Sequence, residues 1–114
     1  MAMLAMAVPI LPGKTDQWRG FVEELRSNRY NDYVESRKRL GVRERAFLQE
    51  TPHGDMVILA LDGDDPARAF QSFGTAHDPF TDWFVQQVQE IHGFDLRQPP
   101  PGPLPMQVID SQTR

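Results

Sequence analysis

The chain has 114 residues, of which 39% are hydrophobic and 25% charged, with a net charge of −4. Those proportions describe one globular domain over 1–114, and the acidic balance argues against nucleic acid as a partner, because phosphate binding needs a positive field. With no cysteine, a disulfide framework, a thiolate zinc site and a cysteine nucleophile are excluded.

The first twelve residues, MAMLAMAVPILP, are apolar. They lack the positive start of a signal peptide, and Ala5-Met6-Ala7 lies too early to be its cleavage site. No later apolar run approaches the roughly 20 residues that cross a bilayer. A cytoplasmic protein with no membrane partner is expected.

Residues 4–10 form an apolar run ended by Pro12-Gly13, which reads as a strand buried on both faces. Thr15 or Asp16 can cap the helix that follows, where Trp18, Phe21, Val22 and Leu25 share one face. The pattern resumes with Tyr30, Tyr33, Val34 and Leu40 and stops at Gly41, as one bent helix or two joined near Ser27-Asn28. Residues 42–51 predict a half-polar second strand. Pro52-His53-Gly54-Asp55 supplies turn chemistry, and 56–61 complete a hairpin with an apolar third strand.

Asp65-Pro66 starts a short helix bearing Phe70 and Phe73. Asp78-Pro79 starts another, with the acid at N-cap and proline at N1. That helix presents Phe80, Trp83, Phe84, Val88 and Ile91 before Gly93 ends it. Residues 98–105 hold five of the ten prolines and read as a polyproline-II arm, after which 104–110 supply a short final strand.

The resulting order, β-α-β-β-α-β, is that of an α+β ferredoxin-like sandwich. In it the first and third strands are central, and here those two are the fully apolar ones. The second and fourth carry Arg43, Glu44, Arg45, Gln107 and Asp110, as edge strands do. Helices cover only one face of such a sheet. Apolar residues of both parities on the central strands therefore call for a cover on the other face, and a second copy is the simplest one. The expected partner is thus a homodimer mate, meeting through the sheet face.

The segments PGKTDQW, FLQETPHGDMVILALDGDD, DPFTDWF and EIHGFDL, followed by a Pro-rich end, resemble a family of uncharacterised bacterial proteins. That family belongs to the dimeric α/β-barrel superfamily, which is ferredoxin-like and similar to the antibiotic-biosynthesis monooxygenases. The resemblance covers roughly 4–110 and implies a ligand site in an apolar cleft between sheet and helices. The wider superfamily includes cofactor-independent quinone-forming monooxygenases, haem-degrading enzymes, muconolactone isomerases and stress-response proteins. Fold alone does not choose among these chemistries.

Gly13-Lys14-Thr15 looks like the end of a phosphate-binding loop, but the glycine needed five positions earlier is Val8, so it reads as a strand-to-helix turn. The three histidines, His53, His77 and His92, show no metal spacing. His53 falls in the hairpin turn. His77 and His92 are the general acid/base candidates, and at a helix end the dipole favours the protonated form of His92. The aromatics Trp18, Phe21, Phe70, Phe73, Phe80, Trp83 and Phe84 come from the helical layer and can line a pocket for an apolar or aromatic ligand.

Glu44 and Glu50 share a parity with Val42, Ala46 and Leu48, which puts one or both carboxylates near an apolar face. Arg37, Lys38, Arg39, Arg43 and Arg45 make a basic cluster, from which Arg45 can stand at the mouth of the cleft as a carboxylate clamp. The leading expectation is a small apolar or amphipathic ligand bound without a cofactor, with or without oxygenation or isomerisation. The alternative is a non-catalytic interaction homodimer with a filled core. Haem binding is weaker, because the haem-degrading relatives carry an asparagine on the first strand and 4–10 has none.

Overall fold

The computed structural model describes residues 2–112. Strand alternation splits β1 (Ala2–Pro9) cleanly: Leu4, Met6 and Val8 lie on its better-buried face, while Met3, Ala5, Ala7 and Pro9 are exposed on the other. Helix α1 (Thr15–Arg26) buries Phe21 and Leu25. Neither Thr15 nor Asp16 caps it. The N-cap is Lys14, with no side-chain bond, and the Thr15 hydroxyl instead donates to Asp55 Oδ2 at 2.7 Å, tying the helix start to the hairpin turn.

The helical pattern over 15–40 divides into two helices. At the break the Ser27 hydroxyl donates to the Glu23 carbonyl at 2.7 Å, the kind of local bond that competes with helix continuation. Helix α2 (Tyr30–Leu40) then runs to Gly41, whose φ of +74° gives the left-handed turn into β2 (Val42–Gln49). The hairpin returns through the turn at 50–55 into β3 (Met56–Gly63).

β3 is the middle strand, antiparallel to β1 on one side and β2 on the other, so Leu4 and Glu44 both lie opposite Leu61. Two short signals place the remaining helices. Asp65 accepts from Arg68 N at the start of α3 (Pro66–Gln71), and Asp78 accepts from Thr81 N at 2.9 Å at the start of α4 (Pro79–His92). Phe80, Phe84, Val85, Val88 and Ile91 of α4 join Leu4, Val57 and Leu61 of the sheet in one hydrophobic cluster.

The class is therefore α+β, with a three-stranded antiparallel sheet and four helices among the described residues. The expected fourth strand does not form. Residues 104–110 make no strand, with an isolated bridge at Asp110, and Met106, Val108 and Ile109 are more than three-quarters exposed. Pro103 and Pro105 remove ladder donors at its start, and Val108-Ile109 breaks the period of two that would keep one face apolar. As a result β1, expected at the centre, is an edge strand. No helix among the described residues is long and apolar enough to cross a membrane.

Candidate functional site

Between the sheet and the helices runs a cleft of about 250 Å³. The sheet floor is Val8, Ala46, Val57 and Leu59, side chains that strand parity turns toward the helices. Trp18, Phe21, Val22 and Leu25 of α1 and Phe70, Phe73, Phe84, Val88 and Leu96 form the walls, with Phe21 and Phe84 meeting at 5.3 Å between ring centres. This lining is overwhelmingly carbon, as in most small-molecule sites. Arg26 and Tyr30, both exposed, add polar groups to the lining, and better-buried polar groups enter at two further places.

The first is His92, in the last turn of α4. Its Nδ1 lies 2.8 Å from the Pro9 carbonyl oxygen. A carbonyl can only accept, so Nδ1 donates, and Nε2 of the neutral ring is left as an acceptor. Burial lowers the His92 pKa below its ordinary 6.5, and the Pro9 bond offsets only part of that. The charged form expected at a helix end is thus disfavoured by burial.

The second is a cluster where α2 crosses β2. Glu44 Oε1 accepts from the Tyr33 hydroxyl at 2.9 Å and from Arg37 Nε at 2.6 Å. Arg37 lies against Phe73, its guanidinium carbon 3.9 Å from the ring centre, and 4.7 Å from that of Phe84. Its Nη1 donates to Ser36 Oγ, and its buried Nη2 has no partner among the described residues. Burial, reinforced by the negative charge of Glu44 and opposed by Arg37, pushes the Tyr33 pKa well above its usual value. Tyr33 is therefore a neutral donor, fixed on Glu44.

The structure brings Trp18, Phe21, Phe84 and His92 together in the cleft wall. It places the other sequence-derived candidates elsewhere. Trp83 sits behind the wall, 5.3 Å from Phe21 and capped by the Arg29 guanidinium at 4.0 Å. Phe80 is buried against Phe84 at 5.9 Å. His77 lies 3.1 Å from Arg97, which also binds the Gly74 and Ala76 carbonyls and Asp82. Glu50 is exposed and meets Arg19 at 3.4 Å. Arg45 lies on the opposite sheet face, paired with Asp62 at 2.6 Å.

Sequence reasoning did not assemble the Tyr33–Arg37–Glu44 cluster. The available signal was the i, i+4 spacing of Tyr33 and Arg37 on one helix face, together with the inward parity of Glu44 just after the Gly41 turn. No group of three or more His, Asp or Glu placed to hold a metal ion occurs among the described residues. Comparison of the chain with protein-family models, curated proteins and solved structures finds no match.

Proposed function

We propose that this protein binds a small, mainly apolar molecule in the cleft between sheet and helices, and works as a homodimer through the uncovered sheet face. The observation carrying the reading is the cleft itself, about 250 Å³ lined by aromatic and aliphatic side chains. An apolar space open to water is costly unless something fills it, since its walls are left hydrated. A filled core, which the interaction-only reading requires, would leave no such space.

The dimer rests on a separate feature. Met3, Ala5 and Ala7 of β1, Ile58 and Ala60 of β3 and Phe47 of β2 share the face away from the helices, and Phe47 and Met3 are each 56% exposed. A two-fold axis would set this patch against its own copy. The arrangement agrees with the dimeric α/β-barrel resemblance of the sequence, which belongs to the same proposal. If the bound molecule reacts, as in a cofactor-independent oxygenation or isomerisation, His92 Nε2 is a group in the cleft able to take its proton.

Native mass spectrometry of the protein purified from cells tests both parts. The reading expects a dimer mass carrying a retained small molecule. A bare monomer at micromolar concentration would overturn it.

A further inference from the structure

Glu44 is the feature of the cleft that a purely apolar ligand does not explain. Its side chain is 8% exposed, and Tyr33 and Arg37 both bond Oε1. A carboxylate offers about four acceptor positions. Oε2 receives no hydrogen bond from any described residue, and Glu44 lines the cleft beside Ala46 and Phe73. A ligand that filled this end with carbon would strip water from an acceptor and give nothing back.

Within the Glu44 cluster the charge is already settled, and Arg26, a cation of the cleft lining, is exposed in the last turn of α1. Arg37 faces Glu44 at 2.6 Å, stacked on Phe73 and tied through Nη1 to Ser36, so it is not free to swing toward an incoming anion. A ligand carboxylate at Oε2 would meet like charge at hydrogen-bond distance. An ammonium would bring a third charge into a nearly dry cluster. A neutral hydroxyl brings one donor to a waiting acceptor at no charge cost.

The position of His92 sharpens this. It hangs from the Pro9 carbonyl, and Pro9 pairs with Met56, five residues along β3 from Leu61, the partner of Glu44. At about 3.3 Å per residue the two polar points are roughly 17 Å apart along the strands. His92 therefore cannot reach a hydroxyl held by Glu44.

We infer that Glu44 selects a neutral, hydroxyl-bearing apolar molecule, an alcohol or a phenol, and holds it undissociated at the α2 end of the cleft, with the apolar body lying on Ala46, Val57 and Leu59. This inference rests on the cleft being the ligand site. Glu44 is a specificity residue here, and the hydroxyl keeps its proton because Tyr33 and Arg37 hold the neighbouring oxygen.

The test is calorimetric titration of the full chain with three probes of matched body: naphthol, methoxynaphthalene and naphthoate. Naphthol is expected to bind at least about tenfold more tightly than methoxynaphthalene, a difference of about 1.4 kcal/mol, and naphthoate is expected to bind weakest. Glu44→Gln, checked for folding by circular dichroism, is expected to bind methoxynaphthalene as before and to lose most of the preference for naphthol. Equal binding of naphthol and methoxynaphthalene, tightest binding of naphthoate, or a folded Glu44→Gln that keeps the preference would each overturn the role of Glu44 and leave the cleft standing. No binding of any probe would overturn the cleft and the inference together. If Glu44→Gln does not fold, the three probes on the unmodified chain decide alone.

Discussion

Arg37 and Glu44 lie seven residues apart, on either side of the Gly41 turn, and meet Nε to Oε1 at 2.6 Å with side chains only 6% and 8% exposed. The left-handed turn at Gly41 folds β2 back beside α2, so the last helical turn and the second inward strand position, Glu44, face each other. An ion pair this dry is held in place by what would happen without it. Loss of either partner leaves the other charge stranded in a low-dielectric site.

Removing one side of that pair is therefore expected to destabilise strongly. Arg37→Ala or Glu44→Ala should each cost about 3–5 kcal/mol in urea unfolding. The double replacement Arg37→Ala with Glu44→Ala should cost less than the sum of the two single changes, because it strands no charge. A double-mutant cycle measures the difference.

The pH dependence of stability follows from His92. Its folded pKa lies below 6.5 because burial disfavours the imidazolium. The unfolded chain thus takes up the proton first as pH falls. The stabilising contribution is complete above about pH 6.5 and is lost as pH drops toward and through the folded pKa. Replacing His92 with Gln should flatten the melting temperature between pH 7 and about pH 5, relative to the unmodified protein.

Asp78 tests the α4 start. It accepts from Thr81 N at 2.9 Å and from the Thr81 hydroxyl at 3.1 Å, and the backbone bond holds its pKa below the ordinary 3.8. Asp78→Ala is expected to lower stability by about 1 kcal/mol, while Asp78→Asn, which keeps the cap, should cost a few tenths at most. Thermal unfolding near neutral pH separates the two.

Gly74 is needed for a close approach. A Cβ there would stand 2.8 Å from the Leu96 carbonyl carbon and oxygen, backbone atoms that cannot swing aside. The Arg97 guanidinium bonds the Gly74 carbonyl from the same segment. Gly74→Ala should cost about 1–3 kcal/mol by forcing 94–97 off the helices, with faster amide exchange in that segment as the local sign.

The local grammar of the chain was readable because it rests on short signals. Asp78-Pro79, Asp65-Pro66, Gly41 and Gly93 set helix ends through neighbours in sequence, and parity alone turned Glu44 toward the helices. The failures involve contacts that composition does not encode. Residues 104–110 are apolar enough for a strand, yet only Leu104 packs against the core, and Met106 and Val108 remain 80% and 88% exposed. The cleft aromatics could be named, but whether Trp83 or Trp18 faces the space depends on the rotation of α1 against α4. That packing angle left Trp18 in the wall and Trp83 behind it, under Arg29.

The sheet face gives its own outcome. Ile58 lies between Ala7 and Phe47 across the sheet, so Phe47→Asp puts a charge within the proposed contact. Sedimentation should change from dimer to monomer with the fold retained. A monomeric unmodified protein would remove the dimer from the account and leave the cleft untouched.

Ala46 offers the most direct test of the central claim. It lies on the cleft floor, exposed within the space, with Val57 and Leu59 beside it. Native mass spectrometry of Ala46→Trp and the unmodified chain, each mixed with naphthol, should show the probe retained by the unmodified protein and lost from the variant. The indole would occupy existing space, so both should unfold at the same urea concentration. Equal retention by the two proteins, or none by either, would contradict the cleft as the binding site.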